Sequence, residues 1–136
     1  MSYSEHTIPD TENLKKLYAS VGWWNYLSTD YDFQALIKNM DYVVTVWEDS
    51  ELIGLIRTLS DDCSVVFVQD ILIKPKYQRQ GIGRKLITMT LHRYKHVRQI
   101  ILITDNSEKT NNFYRSLNMN KLENYNCNGF MILNNT

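Results

Sequence analysis

Two glycines, Gly81 and Gly83, mark the part of the sequence whose residue types suit a charged ligand. The apolar spacing of the residues that follow predicts a helix that begins at this glycine pair. The first turn of a helix has backbone N–H groups without intrahelical acceptors, and a glycine lets a ligand come close to them. With the guanidinium groups of Arg79 and Arg84, the loop therefore predicts a site for a phosphate or pyrophosphate.

The letters of the loop exclude two common phosphate-binding motifs. A Walker loop needs the pattern G-x-x-x-x-G-K-[ST], which is absent here. A dinucleotide fingerprint needs a third glycine three residues after Gly83, where this chain has Leu86. The local charge still favours an anion, because residues 71–104 contain no Asp or Glu and many Lys and Arg.

The composition predicts a single domain spanning residues 1–136 and excludes two classes of protein. There are 15 Lys or Arg and 15 Asp or Glu, and the resulting zero net charge disfavours a nucleic-acid binder. No apolar run approaches the ~20 residues of a membrane helix, and the first residues lack the pattern of a signal peptide. We therefore expect a cytoplasmic protein without nucleic-acid or membrane partners.

Neither the cysteines nor the histidines predict a metal site. Cys63 and Cys127 lack metal-binding spacing, so we expect free thiols that are buried as small hydrophobic side chains. His92 and His96 lie four residues apart, but no third ligand is evident and their neighbours are basic. A solvated helix face is the expectation for both histidines.

Apolar periodicity predicts the element order β-α-α-β-β-β-α-β-α-β-β. The predicted strands are residues 2–8, 42–47, 52–59, 64–73, 99–104, 119–122 and 129–133. Asp10 is a candidate cap of the first helix, and Asp30 or Asp32 of the second. The strand at 64–73 is apolar almost throughout, so we expect it to be buried on both faces. With the helix and strand that follow, it predicts a parallel pair within a mostly antiparallel sheet, and hence a mixed α/β fold.

At these residues the chain resembles the GCN5-related N-acetyltransferases, the GNAT family. The run Gln78-x-x-Gly81-x-Gly83 is similar to the coenzyme A loop of that family, and the strand before it and the helix after it also match. Phe113 and Tyr114 lie downstream at the distance typical of the family. The resemblance covers the element order of essentially the whole domain and implies a GNAT-like fold and acetyl-CoA as co-substrate.

The resemblance also implies which residues hold the cofactor. In the family, the backbone of the loop holds the pyrophosphate, and the corresponding residues are Arg79, Gln80, Gly81, Ile82, Gly83 and Arg84. The end of the preceding strand pairs with the pantetheine arm through its backbone, and the corresponding residues are Ile71, Leu72 and Ile73. Asn106 matches a position that contacts pantetheine, with a turn or cap role as the alternative.

For the chemistry, the resemblance makes Tyr114 the acid that protonates the departing thiolate. Asn118 replaces a glycine that often ends the same helix in the family, and asparagine tolerates the left-handed backbone this end requires. The candidate general base is Asp70, a lone acid in an apolar strand, although a structural carboxylate is an equal alternative. Asp105 is a weaker candidate base and is expected to cap the last helix.

The acceptor site is expected near an aromatic cluster between the first two helices, formed by Trp23, Trp24 and Tyr26. Aromatic faces bind cationic amines, but a core patch is an equal alternative; Tyr125 is a further candidate for the pocket. The function implied is direct acetyl transfer to a primary amine of a small molecule or peptide. The alternative is a regulatory module that binds CoA without turnover, and the resemblance is compatible with a homodimer.

Overall fold

The computed structural model describes residues 1–28 and 30–134. The chain divides into two compact units, residues 1–103 and residues 104–136. The first unit contains a five-stranded sheet, and the described part of the second contains a helix and a 3₁₀ turn. No helix of the described residues is long and apolar enough to cross a membrane.

The first unit is built on one sheet with the strand order β1-β2-β3-β4-β5. Strands β1 to β5 are Ser2–Ser4, Tyr42–Glu48, Glu51–Ser60, Val65–Ile73 and Gln99–Leu102. The first four strands pair antiparallel, whereas β5 runs parallel to β4. The mixed α/β fold and its parallel pair are therefore confirmed.

The described part of this unit has four helices. They are Thr11–Ser20 (α1), Trp24–Ser28 (α2), Phe33–Lys38 (α3) and Ile82–Arg93 (α4). The carboxylate of Asp10 caps α1 by accepting from the backbone N–H of Asn13. Asp32 caps α3 by accepting from the N–H groups of Gln34 and Ala35. Both predicted caps are confirmed, whereas α2 was not predicted because five residues are too few to show a helical period.

Helices cover both faces of the central strand β3. Residues 52–58 of β3 are all buried, and this requires cover on both faces because successive side chains point to opposite sides of a sheet. Helix α4 packs against β3 and β4 with its buried residues Ile82, Leu86 and Ile87. A separate core cluster joins α1 and α3 to the sheet through Leu14, Leu17, Tyr18, Phe33, Ile37, Leu52, Leu55 and Leu72.

A β-bulge divides β4 into two halves. Arg57 of β3 pairs with Asp70, and the next residue, Thr58, pairs with Val68, so Gln69 is the extra residue of the bulge. Consecutive residues of β3 point to opposite faces, and the bulge therefore places buried Val68 on one face and buried Asp70 on the other. Strand β4 is thus buried on a different face in each half, and not on both faces throughout as expected.

The second unit contains helix α5, Glu108–Arg115, and the 3₁₀ turn Leu122–Tyr125. The hydroxyl of Ser107 caps α5 by accepting from the N–H of Thr110. The expectation that Asp105 caps this helix is wrong, because its carboxylate accepts from the side-chain hydroxyl of Thr110 instead. Asn118 follows the helix with a φ of 64°, in the left-handed conformation expected for it.

Three strand predictions need correction. Strand β1 ends at Ser4 and not at residue 8, because the Ser4 hydroxyl accepts from the N–H groups of His6 and Thr7 and turns the chain. The predicted strands at residues 119–122 and 129–133 are absent from the described residues. A strand needs a neighbouring strand for its backbone hydrogen bonds, and neither segment pairs with one among the described residues.

Both cysteines are exposed, so the expectation of buried thiols is wrong. Cys63 lies in the turn between β3 and β4, where its N–H donates to Asp61, and Cys127 follows the 3₁₀ turn; both positions face solvent. His96 lies on the surface with its Nε2 2.8 Å from Asp62. Among the described residues, no group of three or more His, Cys, Asp or Glu side chains could hold a metal ion.

Candidate functional site

The loop before α4 holds two residues in the left-handed backbone region. Arg79 has a φ of 64° and Gly81 a φ of 81°. Glycine adopts this conformation freely, whereas it costs a residue with a Cβ about 1 kcal/mol. Gln78 fixes the loop to the end of β4, since its Nε2 donates to the carbonyl oxygen of Ile73 at 2.9 Å. Left-handed residues in such a turn direct successive N–H groups to one side, which forms a concavity for an anion.

Helix α4 adds its N-terminus to this loop. The N–H of Lys85 donates to the carbonyl oxygen of Gly81 at 3.0 Å. The first turn of a helix leaves backbone N–H groups without intrahelical acceptors, so this end of a helix presents donors. The space beside Gly81 is open, because a Cβ built there would have no heavy atom within 4 Å. Arg79 is exposed beside these donors. The donors, the positive end of the helix dipole and the guanidinium together favour a bound anion.

Beyond the bulge, one edge of β4 has no neighbouring strand among the described residues. Strand β5 pairs with β4 only as far as Val68. Ile71, Leu72 and Ile73 pair with β3 on their other side and lead directly into the loop. An open strand edge can accept an extended, amide-bearing ligand as an additional strand. The residues predicted to pair with pantetheine therefore lie at an open backbone edge, next to the anion loop.

Asp70 lies at the bulge in a largely buried network of four side chains. Its Oδ2 accepts from the Arg57 Nε at 2.7 Å and from the Tyr18 hydroxyl at 2.8 Å. The Tyr26 hydroxyl donates to the Asp70 carboxylate at 2.9 Å and accepts from the Arg57 Nη2 at 3.0 Å. Asp70 is 6% exposed and Arg57 5%, so both charges are desolvated and each balances the other.

The electrostatics of the network keep its tyrosines protonated and its arginine charged. Burial first, and the charge of Asp70 second, raise the pKa of Tyr18 and of Tyr26 above the ordinary value. Burial disfavours the charged form of Arg57, but the attraction of Asp70, Tyr18 and Tyr26 together with the hydrogen bond to Asp70 outweighs it and raises the arginine pKa. The Arg57 Nη1 also donates to the carbonyl oxygen of Leu36 at 3.1 Å. The network thus joins α1, α2 and α3 to the sheet at the bulge.

The aromatic cluster has a core side and a solvent side. The Tyr26 ring lies at its centre, with centroids 4.7 Å from Tyr18, 6.4 Å from Trp23 and 5.7 Å from Tyr31. Trp23 and Tyr26 are partly buried and pack on the core. Trp24 is 62% exposed and Tyr31 41% exposed. The arrangement contains features of both alternatives, a patch that closes the core and aromatic faces open to an amine.

In the second unit, Tyr114 is half-buried on α5. Its ring meets Phe113 edge to face, with the centroids 5.0 Å apart. Burial first, and the negative charge of Asp105 second, raise the pKa of Tyr114 to about 12. The hydroxyl therefore stays protonated at neutral pH, as a proton donor must.

Two further predicted site residues of this unit make local contacts. The side-chain oxygen of Asn106 accepts from Asn111 at 3.3 Å, a contact that fits its turn role. Tyr125 is 63% exposed, and its hydroxyl accepts from Asn120 at 3.1 Å. Each contact uses part of the hydrogen-bonding capacity of the side chain, because the Asn106 amide also has a donor group and the Tyr125 hydroxyl also has a proton to donate.

Arg57 and Tyr18, two of the three side-chain partners of Asp70, were not predicted from the sequence. Arg57 is the one charged residue inside the apolar run 52–59, just as Asp70 is the one charged residue inside 64–73. Two lone opposite charges in adjacent strands of one hairpin are a signal for a buried pair. Tyr18 gave no such signal, because it lies on the apolar stripe of α1 and is typical of core packing.

The class of the protein follows from a comparison with known families. The sequence profile of the acetyltransferase (GNAT) family matches residues 8–119 of this chain. The match covers well over half of the chain and continues across residues 103 and 104, where the two compact units meet in sequence. The chain belongs to the GNAT family, and the resemblance in the sequence is confirmed.

Two solved acetyltransferase structures are similar to this chain. The GNAT-family acetyltransferase SP0256 from Streptococcus pneumoniae TIGR4 is 32% identical, with 99% of this chain and 98% of that chain covered and a TM-score of 0.85. The aminoglycoside N-acetyltransferase AAC(6')-Iy, solved with CoA, is 15% identical over 88% of this chain and 92% of that chain, with a TM-score of 0.65. At that identity the likeness shows a common fold alone.

One curated relative from a fungus is longer than this chain. FG08082 of Gibberella zeae is 24% identical over 106 residues, which are 76% of this chain and 57% of that protein. This chain therefore spans little more than half the length of this curated relative.

Proposed function

We propose that the chain is an N-acetyltransferase that transfers an acetyl group from acetyl-CoA to a primary amine of a small molecule or peptide. The observation that carries the proposal is the anion loop at α4 directly following the open edge of β4. CoA combines a pyrophosphate with an extended arm of amides. The loop donors of residues 79–84 suit the first, and the backbone of residues 71–73 suits the second.

The proposed reaction is a direct transfer without an enzyme nucleophile. An amine with a pKa of about 10.4 must lose its proton before it has a lone pair. Its nitrogen then attacks the thioester carbonyl, the C–N bond forms, and the C–S bond breaks. The departing sulfur takes a proton, and the proton of the amine goes to a base or to water.

Tyr114 is the proposed proton donor. Its raised pKa, about 12, supports the role because the hydroxyl is protonated at neutral pH. A tyrosine is already a weaker acid than a thiol, whose ordinary pKa is about 8.5, and the shift widens the difference. We therefore propose that it donates a hydrogen bond to the sulfur as negative charge develops there. Complete transfer of the proton to the sulfur is the extreme case of this interaction.

We propose two alternative roles for Asp70, a general base and a structural anchor. Its carboxylate already accepts from Tyr18, Tyr26 and Arg57, which favours an anchoring role over proton abstraction. If Asp70 acts as the base, Tyr26 would connect it to the amine or to a water beside the amine. Tyr26 suits this role because it is the partly exposed member of the network. The acceptor is proposed to bind beside Trp23, Trp24 and Tyr26, with Tyr125 as a further candidate, and both units together are proposed to form one acetyltransferase domain.

Calorimetry with CoA tests the cofactor site. Replacing Arg79 by alanine removes one charge-assisted contact to phosphate, and we expect CoA to bind about 10-fold more weakly. The matched control is Arg98→Ala, which removes another exposed charge from the same basic stretch outside the loop. Absence of CoA binding by the unmodified chain would refute the proposal. Equal losses of CoA affinity in the two variants would mean that the loop contributes only general electrostatic attraction.

Turnover is measured by mass spectrometry of the acetylated amine across an acceptor panel. A thiol reagent is unsuitable, because the exposed Cys63 and Cys127 would react with it. Tyr114→Phe should lower kcat by about 10²-fold and leave CoA affinity unchanged. Unchanged kcat would remove Tyr114 from the mechanism. CoA binding with no acetylated product for any amine would instead support the regulatory module.

A further inference from the structure

Tyr31 forms the solvent end of a row of three aromatic rings, here called the aromatic row, whose other members are Tyr26 and Tyr18. The Tyr31 ring is tilted by 44° against that of Tyr26, and Tyr18, at the inner end, is fully buried. Single exposed apolar side chains are common on protein surfaces. An exposed ring that extends a buried row is different, because a further ring can pack against it. The aromatic row therefore ends in an open position for an aromatic group.

The middle of the aromatic row is tied to the bulge of β4. The Tyr26 hydroxyl donates to Asp70, and the open edge at residues 71–73 follows directly. Under the proposed function, the arm of the cofactor runs along that edge from the anion loop towards the bulge, so its acetyl end lies beside Asp70. An acceptor whose nitrogen reaches this point and whose body packs on Tyr31 spans about the length of one tyrosine side chain.

The charges beside the aromatic row are already balanced by the protein. Asp70 pairs with Arg57, whose guanidinium carbon also lies 5.7 Å from the centroid of the Tyr26 ring. A cation of the protein itself thus occupies this cation–π position. The carboxylate of Asp32 caps α3, and Asp30 is the other acid in the connection between α2 and α3. A polyamine or an aminoglycoside has several ammonium groups and requires several carboxylates in return.

We propose that the acceptor is a monoamine with an aromatic ring on a short alkyl linker, and that Tyr31 selects it by packing against that ring. This inference rests on the proposed acetyl transfer and names the class of its substrate. The aromatic row supplies apolar contact for the ring, and the balanced charge favours a molecule with a single basic nitrogen. The products are the N-acetylated amine and the free thiol of CoA.

The test compares kcat/KM for 2-phenylethylamine, n-propylamine, spermidine and kanamycin with acetyl-CoA as donor, measured by mass spectrometry of the acetylated amine. The value for 2-phenylethylamine should exceed each of the others at least about 10-fold, because only this amine places a ring against Tyr31. Equal values, or a preference for spermidine or kanamycin, would overturn the proposal and leave the acetyl transfer itself intact.

Two substitutions of Tyr31 separate a contact with the ring from a structural role. Tyr31→Leu should lower kcat/KM for 2-phenylethylamine about 10-fold, mainly through KM, and leave the value for n-propylamine unchanged. Tyr31→Phe is the matched control, since it keeps the ring and should keep most of the activity. Equal losses for both amines in Tyr31→Leu would indicate a structural role. A loss of the same size in Tyr31→Phe would assign the effect to the hydroxyl, and either result overturns the proposal.

Saturation-transfer NMR tests the aromatic site without turnover. In the presence of CoA, the ring protons of 2-phenylethylamine should receive saturation from the unmodified chain and from Tyr31→Phe, and much less from Tyr31→Leu. This pattern without any acetylated product would refute the acetyl transfer and still support a site for an aromatic amine. Acetylated products from a chain whose saturation transfer does not depend on Tyr31 would support the transfer and overturn the present proposal.

Discussion

Removing Arg57 from the network at the bulge should destabilise the protein by more than any exposed ion pair contributes. In Arg57→Met the aliphatic stem is conserved, but Asp70, which is 6% exposed, loses the cation 2.7 Å away. Loss of one partner from a buried pair costs about 3–5 kcal/mol. Two tyrosine hydroxyls still donate to the carboxylate, so we expect the low end of that range, about 3 kcal/mol.

A double-mutant cycle separates the pair from its surroundings. Asp70→Asn alone leaves Arg57 buried without an anion and should cost about 2–3 kcal/mol. In Arg57→Met/Asp70→Asn no buried charge is left uncompensated, so the double variant should be little worse than either single one. The expected coupling free energy is about 2 kcal/mol, near the upper part of the range for residues in one network.

Urea unfolding followed by tryptophan fluorescence measures these free energies. Trp23 is a local reporter, since its ring centroid lies 5.9 Å from that of Tyr18. The exposed pair of Lys16 and Glu12, 3.0 Å apart on α1, is the control cycle and should couple by less than about 0.5 kcal/mol. A coupling of the same small size for Arg57 and Asp70, with unchanged m values, would refute the account of the network as a buried charge pair.

The same variants separate the two proposed roles of Asp70. An anchoring carboxylate predicts that Arg57→Met and Asp70→Asn lower kcat by similar factors under conditions in which both are folded. A general base predicts that Asp70→Asn alone loses about 10²–10⁴-fold in kcat. Equal activity of Asp70→Asn and the unmodified chain would exclude both roles.

Three further predictions concern local features of the fold. Asp10→Ala removes the cap of α1 and should cost about 1 kcal/mol of unfolding free energy, whereas Asp10→Asn keeps an acceptor and should cost less. Gly81→Ala places a Cβ in open space but forces a left-handed alanine, so a cost of about 1–2 kcal/mol without a packing defect is expected by urea unfolding. The pKa of Tyr18 is raised in the folded state, so its contribution to stability is complete below the unfolded pKa, about 10, and falls by about 1.4 kcal/mol per pH unit above it. The decline of the urea midpoint above pH ~10 should therefore be shallower in Tyr18→Phe than in the exposed control Tyr125→Phe.

Features that depend on near neighbours in sequence could be predicted. The caps at Asp10 and Asp32 are made to N–H groups two or three residues away, so the local sequence contains both partners. The left-handed backbone at Gly81 and Asn118 follows from residue type for the same reason. Asp105 failed as a cap although it is local, because Ser107 lies closer to the helix and competes for the same N–H groups.

Features that depend on distant residues could not be predicted in the same way. The segment 129–133 has a strand sequence, but a strand forms only against an edge, and residue types do not state which edge is available. The partners of Asp70 come from residues 13 to 52 positions away in sequence. A regular β3–β4 hairpin does not predict that Arg57 lies opposite Asp70. That pairing depends on the extra residue in β4, which the sequence does not reveal.

That extra residue, Gln69, leads to a final prediction. Before the bulge the buried side chains of β4 lie on one face, and after it Asp70 and Leu72 lie on the face of α1, where Leu72 joins the core cluster. Deleting the exposed Gln69 would make Val68 and Asp70 consecutive residues. They would still pair with Thr58 and Arg57, so neither side chain would change face.

The deletion should therefore fold and keep the Arg57–Asp70 pair, with an unfolding free energy within about 1 kcal/mol of the unmodified chain. What it removes is the bend that a bulge introduces, at the point where β4 stops pairing with β5. A straight β4 can continue that pairing and close the edge proposed for the pantetheine arm. We expect calorimetry to show CoA affinity reduced at least about 10-fold, because the amides of the arm lose their partners while the anion loop is unchanged. Full affinity in a folded deletion variant would mean that the open edge of β4 contributes nothing to binding, and the arm would have to be held elsewhere.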